Sequence, residues 1–221
     1  MPEGEQFRIG SEVRSSSGEV CGEIRYLYVS RDAHRLTHLA VEEKGRQGLG
    51  RLVPTDQVRV DSQTREIQFQ HTTADFRNLE ASDVTTFAPV TAAYGQYGPE
   101  QVIEEPEYDP SVPGEQVAGN TVPGRSATET SDIIPPGDEK IGRHYPVHAG
   151  SHKFGRVHGV VTDSDHNVTH VLLGEWHELH HKEVAVPFGG QDMIDDDGFH
   201  FSMSKQEVEN LPPSGSNRPG A

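Results

Sequence analysis

Two five-residue stretches of this sequence, Thr37-His38-Leu39-Ala40-Val41 and Thr169-His170-Val171-Leu172-Leu173, are nearly the same. In each of them, apolar residues at alternate positions follow the Thr-His pair, which is typical of a half-buried β-strand. The two stretches lie in opposite halves of a 221-residue chain. A match over such a distance indicates an internal repeat, and a repeat determines how the rest of the sequence is interpreted.

Further matches follow in the same order in both halves of the chain. They are Ile9-Gly10 with Ile141-Gly142, residues 20–24 with 153–157, Leu52-Val53-Pro54 with Ala185-Val186-Pro187, Ile67-Gln68-Phe69 with Phe199-His200-Phe201, and Asn78-Leu79 with Asn210-Leu211. The spacing drifts by only one residue at a time, as insertions in turns would cause. Chance similarity between two Val/Gly-rich regions would not give so many matches in order. The sequence therefore predicts two copies of one unit.

Each copy has the pattern of short strands separated by turns, with one helical turn at its end. Ser204 and Glu207 fit a capping box for a short helix. Its counterpart in the first copy is 73–79, with Phe76 facing inward. A sheet formed by about 70–75 residues hides its edges best by closing into a barrel. The fold class predicted is all-β, with two small barrels.

Composition predicts how the copies are joined. Only 32% of the residues are hydrophobic, which favours two small cores over one large core. Between positions 84 and 135 there are eight acidic residues and one basic residue, together with several Pro and Gly residues. Such a segment buries too little apolar surface to offset the entropy of ordering it. The predicted organisation is a first domain at 1–83, a disordered acidic linker at 84–135, a second domain at 136–212 and a disordered tail at 213–221.

The charge and the apolar pattern exclude several classes of function. With 19 Lys+Arg and 35 Asp+Glu, the net charge of −16 opposes direct nucleic-acid binding and favours protein partners with basic surfaces. No apolar run reaches the ~18–20 residues of a membrane-spanning helix. The acidic N-terminus does not resemble a secretory signal. Cys21 is the only cysteine, so no intrachain disulfide forms, and a cytoplasmic location is expected.

The order of these motifs resembles the PRC-barrel family, which includes the cytoplasmic part of the photosynthetic reaction centre H subunit and the C-terminal domain of the ribosome maturation factor RimM. In the first copy the motifs are Gly10, Gly22-Glu23-Ile24, Thr37-His38-Leu39-Ala40-Val41, Leu52-Val53-Pro54 and Asn78-Leu79. In the second copy they are Gly142, Gly155-Arg156-Val157, Thr169-His170-Val171-Leu172-Leu173, Ala185-Val186-Pro187 and Asn210-Leu211-Pro212.

The resemblance implies an all-β barrel that mediates contacts with proteins or larger assemblies, and it implies no catalytic residues. The sequence departs from the family pattern at Glu80, where a closing proline is usual, and at a histidine-rich loop in the second copy.

That loop contains His177-Glu178-Leu179-His180-His181, which matches the H-E-x-x-H signature of zinc peptidases. The chemistry requires both imidazoles on one face of a helix, with the glutamate as general base. The repeat instead places the segment opposite 43–48, between two strands, where a hairpin loop is expected. His177, His180 and His181 therefore remain weak candidates for metal ligands.

Some residues recur at equivalent positions of both copies, and a role in forming the fold is favoured for them over ligand binding. They are His38 and His170, Gly22 and Gly155, and Pro54 and Pro187. Asp163-x-Asp165-x-Asn167 begins like a calcium loop but lacks its later residues, so it is interpreted as a turn. Cys21 aligns with Phe154, which favours a small buried apolar role.

The function predicted from these observations is a non-enzymatic scaffold or protein-binding module, without cofactor, in which homo-oligomers are an open alternative. A second hypothesis is a factor associated with ribosome maturation or RNA processing. A third is a metal-binding protein or a metal-dependent hydrolase that uses His177, Glu178 and His181.

Overall fold

A computed structural model describes residues 4–43, 50–61, 64–88, 127–150, 152–153, 155–174 and 183–214, without the side chains of 84–88 and 127–130. It confirms the all-β class, because strands dominate and the described helices are two short ones. One compact unit comprises Met1–Val84 with Asp132–Ala221, and a second comprises Thr85–Ser131. Within the described residues, no helix is both long and apolar enough to cross a lipid bilayer.

The elements of the first copy are β1 (Glu5–Arg8), β2 (Glu12–Arg14), β3 (Val20–Ser30), β4 (Leu36–Glu42), β5 (Gly50–Pro54), a 3₁₀ turn (Thr55–Gln57), β6 (Val58–Val60), β7 (Ile67–Phe69) and α1 (Thr73–Arg77). All of its strands except β1 lie in one sheet with the order β5-β4-β3-β2-β7-β6. Neighbouring strands are antiparallel except β2 and β7, which are parallel.

The second copy has a similar succession of elements, although two strands stand in place of the long β3 and no 3₁₀ turn is described, and its strands lie in two four-stranded sheets, one of which includes β1. Its elements are β10 (Asp138–Ile141), β11 (Val147–Ala149), β12 (His152–Lys153), β13 (Arg156–Thr162), β14 (Val168–Gly174), β15 (Glu183–Pro187), β16 (Met193–Asp195), β17 (Gly198–Phe201) and α2 (Lys205–Glu209). The sheet orders are β1-β13-β14-β15 and β12-β11-β17-β16. Among the described strands, no ladder closes a sheet on itself, so the closed barrels expected from the sequence are not seen.

The two copies exchange their first strands. β1 pairs with β13 of the second copy, and β10 pairs with β3 of the first. Strand β3 has eleven residues, but β2 pairs only with its first part, Val20–Glu23. β10 covers the second part, Leu27–Ser30, which would otherwise be an open edge.

This exchange produces one core in place of the two separate cores expected from the composition. Phe7 lies opposite Val160, and Ile141 lies opposite Leu27, so each copy fills the interior of the other. All four side chains are fully buried and belong to a single apolar cluster with members from both copies.

The exchange also corrects one match of the repeat. Relative to the equivalent strands β3 and β13, Ile141 corresponds to Phe7, not to Ile9, and Gly142 corresponds to Arg8. The sequence alignment missed this because both segments carry an Ile-Gly pair near a strand end. The other matches agree with the ladders, since Val13 pairs with Ile67 as Val147 pairs with Phe199.

The helical turns agree with their sequence signals. Ser204 and Glu207 form the predicted capping box before α2, and Thr72 with Asp75 forms one before α1. Phe76 is buried at 2% exposure, as the pattern predicted.

The chain segments outside the two copies are only partly described. β8 (Asp83–Ala88) and β9 (Ala127–Asp132) pair as a two-stranded sheet, so the two ends of the predicted linker 84–135 are strands, and 89–126 lies outside the described residues. The boundary predicted for the disordered tail, at 213, includes two residues that contact β15. Pro213 bridges Val184, and Ser214 is buried where its backbone N–H donates to the carbonyl of Glu183.

Candidate binding site

The recurrent histidines occupy the same local structure in both copies. The Thr37 and Thr169 hydroxyls donate to the carbonyls of Tyr28 (3.2 Å) and Val161 (3.1 Å), across a register irregularity of the β3–β4 and β13–β14 pairs. In each copy the following histidine, His38 or His170, has Nδ1 3.1 Å from that threonine oxygen. In both copies the imidazole thus contacts the threonine that lies at the irregularity of the ladder.

The recurrent prolines and glycines lie beside the same ladders. Pro54 and Pro187 are the last residues of β5 and β15 and lie opposite His38 and His170. At Gly22, a Cβ atom would lie 2.2 Å from the carbonyl oxygen of Glu42, so no larger residue fits without a shift.

Gly155 occupies the corresponding place in the second copy. Its φ of +63° favours glycine, and a Cβ atom there would lie 3.1 Å from the carbonyl oxygen of Gly174. Both glycines therefore permit a close approach to the neighbouring strand.

The histidine-rich loop falls between strands, as the repeat predicted. Gly174 at the end of β14 pairs directly with Glu183 at the start of β15, so the segment between them connects an antiparallel hairpin. His177, His180 and His181 themselves lie outside the described residues. Among the residues that are described, no group of three or more His, Cys, Asp or Glu side chains is arranged to hold a metal ion.

Two weaker sequence candidates behave as their simpler interpretations predict. Asp163 accepts hydrogen bonds from the backbone N–H groups of Asp165 and Asn167, each at 2.9 Å, and from the Asn167 side chain. These bonds, that of the Asn167 side chain above all, lower the pKa of Asp163. Cys21 is buried at 2% exposure, and burial raises the pKa of its thiol.

Sequence reasoning missed a polar cluster centred on Glu183. The Arg8 guanidinium donates to both oxygens of this carboxylate at 2.6 and 2.7 Å. The Ser214 hydroxyl donates at 2.6 Å, and Nδ1 of His158 lies at 3.1 Å. Burial alone would raise the pKa of Glu183, but the bonds from His158, Arg8 and Ser214 outweigh it and lower the pKa to about 2.

The cluster joins parts of the chain that are far apart in sequence. Arg8 belongs to the exchanged strand β1, His158 to the bulge of β13, and Ser214 to the C-terminal segment. No motif links these positions, so only the folded chain reveals the cluster. It stabilises the exchange and leaves Glu183 only 6% exposed, which makes it a poor site for a ligand.

The two copies differ in the gap between two of their edge strands. In the second copy, the gap between β10 and β16 is filled by the chain itself. The Tyr145 hydroxyl donates to the carbonyl of Asp195 at 2.6 Å and lies 3.3 Å from the carboxylate of Glu139. The guanidinium of Arg31 pairs with the carboxylates of Glu139 and Asp196. The Tyr145 ring also packs edge-on against Phe199, and burial of this side chain, more than any other cause, raises the pKa of its phenol.

In the first copy, a cleft of about 350 Å³ lies between β1 and β6. The residues that line it are Gly4, Glu5, Val60, Asp163 and Ser164. Its volume is at the lower end of the ~300–1,000 Å³ usual for small-molecule sites. Two of its five lining residues carry carboxylates, and among the described residues Glu5 pairs with one basic side chain, His166, whose Nδ1 lies 3.9 Å away. We take this cleft as the candidate binding site.

No protein-family model matches the chain, and no curated protein matches it.

Proposed function

We propose that this protein is a non-enzymatic binding or scaffold module made of two PRC-barrel-type copies, and that it binds a protein with a basic surface. The proposal of the PRC-barrel type rests on the motif order of the two copies and on their shared succession of strands. The open acidic cleft between β1 and β6 carries the proposal of binding.

The charge of the chain supports the choice of partner. A net charge of −16 attracts basic surfaces and speeds their encounter at low salt. The same charge opposes binding to phosphate backbones, which disfavours a direct contact with RNA.

The exchange of first strands brings residues of both copies to one surface. Because the first strands are exchanged, a partner that contacts β1 meets residues of both copies at once. The cleft itself is an example, since Glu5 and Val60 come from the first copy and Ser164 comes from the second. A scaffold built in this way holds its binding residues on strands, or directly beside strands, of a common core, which reduces the entropy lost on binding.

Chemical crosslinking of the full chain in its native host, followed by identification of the crosslinked peptides, tests the proposal. We expect one recurring protein partner, with crosslinks near the β1–β6 edge and with recovery that falls as salt rises. A chain that captures no protein and turns over a substrate contradicts the proposal. Co-sedimentation with ribosomal subunits that resists high salt would favour the ribosome-associated alternative.

A further inference from the structure

We propose that the β1–β6 cleft binds an arginine side chain, with a neighbouring aromatic ring, presented by a partner protein. The inference rests on the proposed function and names the chemistry of the partner. Its basis is that the equivalent gap in the second copy already holds such a pair, Arg31 and Tyr145, supplied by the chain itself.

The strand ladders establish which residues are equivalent. Glu5 lies opposite Thr162 in β13, and Glu139 lies opposite Val29 in β3. Thr162 and Val29 each follow the second register irregularity of their strand, so Glu5 and Glu139 correspond. Arg31 and Ser164 lie two residues after Val29 and Thr162, in the turns that follow β3 and β13, and are therefore equivalent.

The same correspondence shows which residue of the first copy is equivalent to Tyr145. The N–H of Ser11 donates to the carbonyl of Arg8 at 3.1 Å, and the N–H of Tyr145 donates to that of Gly142 at 3.0 Å. Arg8 and Gly142 are equivalent, so Ser11 stands where the second copy has Tyr145.

Two small residues stand where the second copy's gap has larger side chains: Ser164, which lines the cleft, replaces Arg31, and Ser11, which does not line it, replaces Tyr145. Gly4 replaces Asp138, whose carboxylate accepts a hydrogen bond from the Thr37 hydroxyl. Gly4 has φ +140°, and a Cβ atom there would lie 2.3 Å from the carbonyl oxygen of Thr162, so this position excludes a side chain. The first copy keeps the acceptor and the apolar wall of the gap but lacks the groups that fill it.

The acceptor that remains is Glu5. Its counterpart Glu139 pairs with the guanidinium of Arg31 in the second copy. Asp163 adds negative charge to the cleft, although its oxygens already accept bonds within their own turn. Within the described residues, the basic side chain paired with this carboxylate is His166, whose Nδ1 lies 3.9 Å from Glu5.

Arginine suits the cleft better than lysine does. Its planar guanidinium donates in a fixed fork to a carboxylate, and it is less strongly hydrated than an ammonium group. The apolar side chain of Val60, equivalent to Ile194, lines the cleft, and Ser11 stands where the second copy has the Tyr145 ring. An Arg-aromatic pair therefore reproduces the contacts that close the other gap.

The experiment titrates acetyl-Arg-Tyr-amide into the ¹⁵N-labelled full chain and follows the backbone amide signals. We expect saturable shifts centred on Gly4, Glu5, Val60 and Ser164, and none with acetyl-Glu-Tyr-amide. Ser164→Arg supplies the missing guanidinium from within and should abolish the saturable shifts. Glu5→Gln should raise the Kd about tenfold, because it removes a charged hydrogen-bond acceptor.

A matched control adds the same charge elsewhere. Ser16 is exposed in a turn of the first copy and does not line the cleft. Ser16→Arg should change the Kd by no more than about twofold, since a distant surface charge is screened by salt. Amide signals outside the cleft report whether each variant keeps its fold.

Two results overturn the inference. The first is the absence of saturable shifts at the cleft with acetyl-Arg-Tyr-amide. The second is a Ser164→Arg chain that binds the dipeptide, or captures the crosslinked partner, as well as the unaltered chain does. In the second case the scaffold proposal survives. If the unaltered chain captures no protein at all, the scaffold proposal fails while the dipeptide titration still decides the chemistry of the cleft.

Discussion

The Glu183 cluster gives the sharpest prediction about stability. Replacing Glu183 by Gln keeps the size of the side chain but leaves the Arg8 guanidinium, 26% exposed, without its anion. The pKa of Glu183 falls from its usual 4.5 to about 2 in the folded chain. At 1.36 kcal/mol per pKa unit, this difference corresponds to about 3 kcal/mol of stability at neutral pH.

The stabilisation has a definite dependence on pH. A glutamate with a lowered folded-state pKa stabilises the protein fully above its unfolded-state pKa, and the effect is lost as pH falls through the folded-state value. The difference between the unaltered chain and Glu183→Gln should therefore be constant from pH 7 to about pH 5. It should shrink as pH falls from about 4.5 towards 2.

Urea unfolding followed by circular dichroism measures this difference. With a slope of about 2 kcal/mol per molar urea, a loss of about 3 kcal/mol lowers the midpoint by about 1.5 M. Glu12→Gln is a matched control, because Glu12 pairs with Arg14 at 2.9 Å with both side chains 39% exposed, and such pairs contribute about 0–1 kcal/mol. A midpoint shift for Glu183→Gln no larger than that of the control, or a difference that grows as pH falls, refutes the reasoning.

Four further predictions concern the shared core and its buried groups. After cutting at a protease site introduced within 89–126, the halves should co-elute as one species in size-exclusion chromatography, and separate elution would contradict the exchanged strands. Phe7→Ala should lower the free energy of unfolding, measured in urea titrations, by about 3–5 kcal/mol, because Phe7 is fully buried. Val20→Ala, at an exposed position, should lower it by less than about 1 kcal/mol, and equal effects would show that β1 is not buried. The His170 ring should titrate below pH 6.5 by NMR, because burial lowers its pKa, and a midpoint at or above 6.5 would argue against that environment. The Cys21 thiol should react with Ellman's reagent only after unfolding, and fast reaction of the native chain would contradict its burial.

The recurrent histidines show how far sequence patterns reach. The Thr-His pairs were identified as recurrent positions because they repeat in sequence, and both make the same local hydrogen bonds. Such contacts involve neighbouring residues and the adjacent strand, so a local pattern is sufficient to indicate them. The capping boxes at Thr72 and Ser204 are local in the same sense.

The cleft could not be found by aligning the two copies. The alignment of the copies pairs similar residues, but the cleft arises where they differ, at Gly4 and Ser164. These residues of different copies line one cleft because β1 is exchanged. Nothing in the sequence brings Glu5 close to Ser164, so the site was not predicted.

The sequence alone determined the class of the fold, the repeat, the turns and the helix caps, because alternation, turn chemistry and capping act over a few residues. The folded chain decided which copy each first strand completes. The copies share a pattern of apolar residues, which does not by itself show that β1 joins β13. In the folded chain β1 lies close to Gly159 of β13, where a Cβ atom would be 2.2 Å from the carbonyl oxygen of Phe7, and the equivalent residue of β3 is Tyr26. The exchanged pairing also buries Phe7 and Ile141 in one core and forms the Glu183 cluster and the open cleft.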